Sequence, residues 1–393
     1  MKAFSVNIAV SGRFHYQNYV SRLWEEGILQ RFYYSHRFDR RILPPEADAE
    51  VNLWGKECLA RLHGKLFGNR AAAMIPRYNA LWETGVLRRW ERADLWHVLL
   101  HGAAKRILTR ARVEGSCTIG EPVNAHPRDI ERLFKEEEDR LGLPKRTYFR
   151  EEWQNIVEEV EKSDFLLVAS HWLRRSFASH GYPEERIQIL PYGVDLAKFF
   201  PQWNGEGDDV FRVLCVGQIC PRKGQADLLE AWRRLRLPRA ELLLLGVIDE
   251  AMRPLLRRFG GLFRYLGYCS FDEVASFYRQ ASVFVLPSIE DGFADVCGEA
   301  MASGLPVIVT ENTGAADIVE NGVDGFVVPI RSPERIAETL ETLYRNPELR
   351  RLMAENALRK AEGLSWNSYA QRLSVLYGNL FATRSALTVE RNT

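Results

Sequence analysis

The sequence has almost no excess of charge of either sign. Its 393 residues hold 53 Lys and Arg against 52 Asp and Glu. A dedicated nucleic-acid binder ordinarily carries a basic domain, so no nucleic-acid partner is expected. Cysteine is scarce. The six lie at positions 58, 117, 215, 220, 269 and 297, and no two form a CxxC pair. That spacing excludes the common zinc and redox motifs and leaves small buried side chains in a reducing compartment. No stretch approaches the ~18 consecutive apolar residues that a membrane-spanning helix needs. The opening Met-Lys-Ala-Phe-Ser-Val-Asn-Ile-Ala-Val is interrupted by Ser5 and Asn7 and is too short for a secretory signal, so it reads as a buried first strand. Low-complexity segments and short-period repeats are also missing.

What is present is a pattern of a globular protein, with 46% apolar and 27% charged residues. The length suits two domains of roughly 150–200 residues each. Short apolar runs (Val6–Val10, Leu95–Leu100, Phe165–Ala169, then Val213–Val216, Leu242–Leu245, Phe263–Leu266, Val283–Leu286, Val307–Val309 and Gly325–Val328) alternate with amphipathic helical patterns such as His15–Glu26, Gln225–Arg234, Phe271–Gln280 and Ser332–Tyr344. Buried strands alternating with helices imply an α/β fold with parallel sheets covered on both faces. The polar, turn-rich stretch Phe200–Asp209 is the best boundary. It divides the chain into domains at 1–200 and 210–365. A further amphipathic helix (Trp366, Tyr369, Leu373, Leu376, Tyr377) covers about 366–384 and is expected to return to the first domain, with fraying from about Ser385.

In open parallel sheets, ligands bind at the carboxyl ends of strands, where loops enter helices. In Gly217-Gln218-Ile219-Cys220-Pro221-Arg222-Lys223-Gly224, two cations precede a helix. Exposed N–H groups and the helix dipole there favour a phosphate or diphosphate, although a solvated turn is the competing reading. The spacing fits neither a Walker A loop nor GxGxxG. A denser string runs Leu286-Pro287-Ser288-Ile289-Glu290-Asp291-Gly292-Phe293-Ala294 into a small-residue helix carrying Glu299 and ending at Ser303-Gly304. Asp291 and Glu299 can face one crevice, and Gly292 admits close backbone approach. The loop at Thr313-Gly314 is either a ligand contact or a plain connector. In the first domain, Ser11-Gly12-Arg13 follows the first strand, so Gly12 can approach a ligand opposite Lys223. His126, His97 and His101 sit at apparent strand ends, where structural roles compete with catalytic ones. Ser170-His171 looks like a dyad only in letters, because neighbours on a strand point to opposite faces. The stretch from Lys56 to Arg92 combines Arg61, Lys65, Arg70, Arg77, Arg88 and Arg89 with interleaved leucines and aromatics. It reads as a basic amphipathic surface suited to anionic lipid, or as an ordinary insertion with a solvated face.

Taken together, these strings resemble glycosyltransferase family 4, retaining nucleotide-sugar enzymes built from two facing Rossmann-like domains (GT-B). The resemblance is carried by Leu190-Pro191-Tyr192-Gly193-Val194-Asp195, Lys223-Gly224, Leu286-Pro287-Ser288 and Glu299-Ala300-Met301-Ala302-Ser303-Gly304-Leu305-Pro306-Val307. It is strongest over 160–330. By position it implies that Glu299 holds the nucleotide ribose, that Asp291 contacts the donor sugar, and that backbone N–H groups around Gly292, Phe293 and Ala294 meet sugar hydroxyls and phosphate. It further implies that Lys223 binds the diphosphate, that Gly12 lies near it, and that His126 stands beside the donor sugar. Two positions depart from the family. Asp291 is one methylene shorter than the usual Glu, with Glu290 adjacent, and Gln218 replaces the usual Arg. Losing that guanidinium removes a bidentate phosphate partner. Arg222 is the nearest compensating cation, and the changes either retune donor choice or weaken the enzyme.

The resemblance therefore implies a hexosyltransferase-type enzyme of polysaccharide or glycolipid biosynthesis. Its donor would be a nucleotide-diphosphate sugar and its acceptor a glycan or a lipid-linked molecule. It implies no cofactor and no metal. The expected location is the cytoplasm, at the inner face of the membrane where the acceptor is lipid-linked. Other chemistries on the same fold are a nucleotide-sugar epimerase, a phosphorylase, and a catalytically weak nucleotide-binding partner subunit.

Overall fold

A computed structural model describes residues 4–12, 14–36, 41–67, 74–146, 150–202 and 209–390. Arg13, Arg70 and residues 203–208 of the inter-domain stretch lie outside the described residues.

Two parallel sheets organise the chain. The first contains β1 (Val6–Val10), β2 (Leu29–Tyr34), β3 (Glu50–Asn52), β4 (Leu95–Leu100), β5 (Cys117–Pro122), β6 (Phe165–Val168) and β7 (Ile187–Ile189), in the order β3-β2-β1-β4-β5-β6-β7. The second contains β8 (Phe211–Val216), β9 (Ala240–Leu245), β10 (Arg264–Gly267), β11 (Val283–Leu286), β12 (Val307–Thr310) and β13 (Gly325–Val328), in the order β10-β9-β8-β11-β12-β13. Each sheet reverses its winding beside its first strand, at β1/β4 and at β8/β11. Such reversal points open crevices at the carboxyl ends of the strands. The central strands are buried along their whole length (β1, β4, β6, β11 and β12), as strands covered on both faces must be.

Several elements were not legible as apolar runs. β2 carries Gln30 and Arg31 among its aromatics, and β3 is three residues long at the sheet edge. β5 places Glu121 within a fully buried strand. The pattern His15–Glu26 is not one helix. A 3-10 turn at His15–Asn18 precedes the helix Val20–Glu25, and the break turns the His15 ring toward Tyr192 and Trp366. Ser170 is not on a strand either, because β6 stops at Val168. Ser170 caps the helix His171–Ser179, its Oγ accepting from Leu173 N at 3.3 Å.

The last helix spans Trp366–Glu390 and runs on past Ser385, where fraying was expected; Ala-Leu-Thr-Val-Glu holds no glycine or proline to stop it. It packs on the first domain. Tyr369, Leu373 and Tyr377 are completely buried, and Tyr377 Oη lies 2.6 Å from His97 Nδ1 on β4. His97 Nε2 lies 2.9 Å from the Glu121 carboxylate, so the helix closes over a buried polar pair. The chain enters this helix beside the segment leaving β7, where Val194 N donates to Leu364 O at 2.7 Å. The two passages between domains therefore lie side by side. Leu373→Ala is expected to destabilise the protein by about 2–5 kcal/mol, read as a lower urea midpoint.

Candidate functional site

The carboxyl ends of β1, β4 and β5 face those of β8 and β11 across a cavity of about 550 Å³. From the first domain it is lined by Phe14, His15, Gln17, His101, Val123, Asn124 and Tyr192. From the second it is lined by Lys223, Asp291 and the run Phe293–Val296. This second-domain wall is built by two strand-to-helix loops. After β8, a 3-10 turn (Pro221–Lys223) brings Arg222 and Lys223 forward before the helix Gln225–Leu235. Gly224 between them has φ +64°, and a Cβ there would stand 1.9 Å from the carbonyl oxygen of Pro287. Only glycine lets the two loops touch, which is the physical basis of the Lys223-Gly224 pair.

After β11, the loop carries Glu290 and Asp291 in opposite directions. Asp291 faces the cavity and accepts from Lys223 Nζ. Its Oδ1 is 3.7 Å from Arg222. Burial works against its charge, but Lys223 and Arg222 outweigh burial and hold Asp291 below the usual carboxylate range. Glu290 points the other way. It is fully buried, accepts from Ala125 N of the first domain at 3.2 Å, and lies 3.4 Å from Arg222. Burial raises its pKa despite Arg222. Glu290 is thus engaged in joining the domains and does not stand in for Asp291. Arg222 is likewise turned inward between the two acids rather than to solvent, and its carboxylate neighbours keep it charged.

The helix Asp295–Ala302 begins at the cavity. Ala294, its N-cap, adopts left-handed backbone (φ 69°), a conformation costing about 1–3 kcal/mol in a non-glycine residue and usually kept at functional sites. The first-turn residues Asp295 and Val296 line the cavity, and a first helical turn leaves N–H groups without intrahelical partners at the positive end of the helix dipole. The arrangement suits an anion held between this helix start and Lys223. Glu299, one turn on, is not among the cavity-lining residues. It accepts from Tyr278 Oη at 2.9 Å, and burial pushes its pKa up to about 7.

Other sequence-predicted residues are placed as follows. Gly12 lies in the loop after β1, outside the residues lining the cavity, and its carbonyl accepts from Tyr16 Oη at 3.1 Å. Gln218 is exposed at the end of β8, while its carbonyl accepts from the Gln225 side chain at 3.0 Å. Gly292 touches the first domain directly: a Cβ would stand 1.9 Å from Val123 O. The structure does not bring His126 to Lys223 and Asp291. His126 caps the helix Pro127–Leu141, stacks on His180 with centroids 4.0 Å apart, and is held neutral by burial and by His180, with its pKa lowered to about 4. The cavity histidines are instead His15 and His101. His15 Nε2 lies 3.3 Å from Asp295, and burial with the Lys56 charge lowers the pKa of His101. His15 carried no site role in the sequence, and Tyr192 and Asn124 stood within candidate strings without a role of their own. Their positions just after strand ends were the available signal.

The second half of the chain matches a known domain type. Residues 198–360 match the model of the family described as glycosyl transferases group 1. These residues form a group 1 glycosyltransferase domain. Among curated proteins, the chain is 31% identical over 208 residues to a D-inositol 3-phosphate glycosyltransferase of Paenarthrobacter aurescens, covering 49% of this chain and 51% of that protein. It is 32% identical over 223 residues to an uncharacterized glycosyltransferase of Methanocaldococcus jannaschii, covering 56% and 60%. The chain thus spans little more than half the length of these curated relatives. Solved structures match almost throughout. HepE of Anabaena in complex with UDP gives a TM-score of 0.69 at 13% identity, covering 95% of this chain and 100% of that one. Sucrose-phosphate synthase from Thermosynechococcus elongatus gives 0.67 at 17%, covering 96% and 99%. The fold is therefore GT-B, with the group 1 glycosyltransferase domain as its second half.

The raised pKa of Glu299 has a definite sign. The folded protein holds a proton there that the unfolded chain releases near the ordinary carboxylate value, so this group stabilises less as pH rises from about 4.5 to about 7. Glu299→Gln is expected to flatten the pH dependence of unfolding in that window by at most about 1.4 kcal/mol per pH unit, measured by urea titration at several pH values. An unchanged slope would place the perturbed proton elsewhere.

Proposed function

We propose that the protein is a retaining glycosyltransferase of family 4 type. It moves a sugar from a nucleotide-diphosphate sugar to an acceptor hydroxyl in polysaccharide or glycolipid biosynthesis. One observation carries this reading: Lys223 and the half-buried first turn at Asp295 and Val296 converge on one cavity between two Rossmann-like domains. The group 1 family match and the complexes of HepE with UDP and UDP-glucose support a nucleotide-sugar donor.

In this reading the diphosphate displaces Asp291 from Lys223 and lies against the helix start. Asp291, freed, accepts from donor-sugar hydroxyls, and Glu299 holds the ribose. The bond from the anomeric carbon to the diphosphate oxygen breaks. The acceptor oxygen bonds to that carbon on the same face, and its proton leaves with the departing phosphate oxygen. Negative charge grows on that phosphate, where Lys223 and the N–H groups of the helix start lie, with Arg222 behind them between Glu290 and Asp291. Preorganised charge of this kind is usually the largest rate term. The reading needs no metal, since these groups supply the countercharge. Its acceptor is a glycan or lipid-linked molecule entering from the first-domain side, past His101 and Asn124.

A thermal-shift screen of nucleotide diphosphates and their sugars tests donor binding. A ligand at about 100 times its Kd adds about 2.7 kcal/mol of stability, and Lys223→Ala should abolish the shift. No shift with any nucleotide would sink the reading. With a responsive donor and an acceptor found, Lys223→Ala is expected to lower kcat on the order of 10²–10³-fold while the melting temperature of the free protein stays within a few degrees. Product analysis with donor alone separates an epimerase, and dependence on inorganic phosphate separates a phosphorylase. Activity should survive EDTA; loss that added Mg²⁺ restores would refute the metal-free chemistry.

A further inference from the structure

The helix Gly55–Phe67 is attached to its domain by its polar side. Lys56 Nζ donates to Ser11 Oγ, Glu57 accepts from Ser35 Oγ at 3.0 Å, and His63 Nδ1 meets the Tyr78 hydroxyl. No residue of this helix is fully buried. Leu59, Leu62 and Leu66 fall within about 60° of one another around its axis, on the solvent side. Leu62 is 53% exposed and Leu66 64%, with Phe67 at 57%. A surface helix ordinarily turns its apolar stripe to the core. This one does the reverse, and a contiguous exposed apolar patch marks an interaction site.

We propose that this face docks on an anionic lipid bilayer. The leucine stripe enters the boundary between headgroups and acyl chains. Arg61 and Lys65, exposed beside it, extend their apolar stems along the surface and place their charges among the phosphates. The neighbouring helix Ile75–Arg88 adds exposed Arg77, Leu81 and Arg88. Charge selects the occupant. The helix's only acid, Glu57, is turned inward to Ser35, so the exposed charges of these two helices are positive. A second copy would set like charge against like, whereas an anionic surface complements it. Lys56 links this helix to Ser11 in the loop after β1, and its charge acts on His101 of the cavity wall. The docking face thus stands beside the first-domain side of the cavity. If the transferase reading holds, a lipid-linked acceptor reaches the cavity without leaving the membrane. The docking itself does not depend on that reading.

The test is co-sedimentation of the full chain with vesicles of phosphatidylcholine alone or mixed with phosphatidylglycerol. Retention is expected only on the anionic vesicles, falling about tenfold in Leu62→Ser/Leu66→Ser and again in Arg61→Gln/Lys65→Gln. An unchanged melting temperature shows that each variant is folded. Should the leucine pair fail to fold, the exposed polar pair carries the test alone. The proposal is overturned if the wild type is not retained at low salt, or if retention ignores both pairs. It is equally overturned if light scattering shows a dimer that the leucine variant dissolves. Nucleotide-induced thermal shifts report on the donor site separately, so the two readings fail independently.

Discussion

The structure depends on how closely two backbones approach between the domains. Gly292 lies against the carbonyl of Val123, and Ser170 Oγ donates to the Gly292 carbonyl at 2.7 Å. No side chain fits at that contact. Around it, Ala125 N meets Glu290, His15 meets Asp295, and the backbone N–H of His171 donates to Asp317 at 2.5 Å. The carboxyl ends of both sheets are thereby held face to face, and the cavity is the space the contact leaves. A second set of ion pairs holds the rim. Arg140 makes a bidentate pair with Asp227, and Arg146 another with Asp249. Bidentate guanidinium–carboxylate pairs fix orientation as well as distance.

The two cations of the loop after β8, one facing the cavity and one behind it, are balanced before any ligand enters. Lys223 is held by Asp291, and Arg222 by Glu290. This balance resolves the puzzle of adjacent cations and adjacent acids in the sequence. Burying either set alone would be costly, since an unpaired buried charge loses its hydration without recompense. On the proposed transferase reading, an incoming diphosphate replaces a carboxylate as the partner of Lys223, so that charge never stands without a counterion.

Much of the fold was legible because buried parallel strands are continuous apolar runs of short length. β1, β4, β11 and β13 begin and end where the pattern does. The less visible strands, β2, β3, β5 and β7, are polar, short or at an edge, and acquire their state from neighbours. The second-domain half of the site was legible for a different reason. Glycines, small residues and charges are forced together by tight strand-to-helix loops, so Lys223-Gly224 and Asp291 survive as local text, whereas Glu299, expected in the same crevice, meets Tyr278 outside the cavity lining. The first-domain half was not. His126 has the right letter at the right strand end, yet its helix-capping bond and its stack on His180 turn it aside. His15 reaches the cavity because a 3-10 turn replaces the first turn of the expected helix.

Local pattern was therefore enough for the α/β class, for buried parallel strands and for the Lys223-Gly224 loop, since alternating strand and helix patterns and a tight strand-to-helix turn are each written in residues near in sequence. Which acid meets Lys223, which way Arg222 turns and which histidines line the cavity were decided by packing between the domains. The outward leucine stripe of Gly55–Phe67 belongs with these. In sequence this stretch reads as either a lipid-facing surface or an ordinary insertion with a solvated face, and the polar ties of Lys56, Glu57 and His63 to distant partners turn the leucines outward. Those ties join residues 45, 22 and 15 positions apart, beyond the reach of any local pattern.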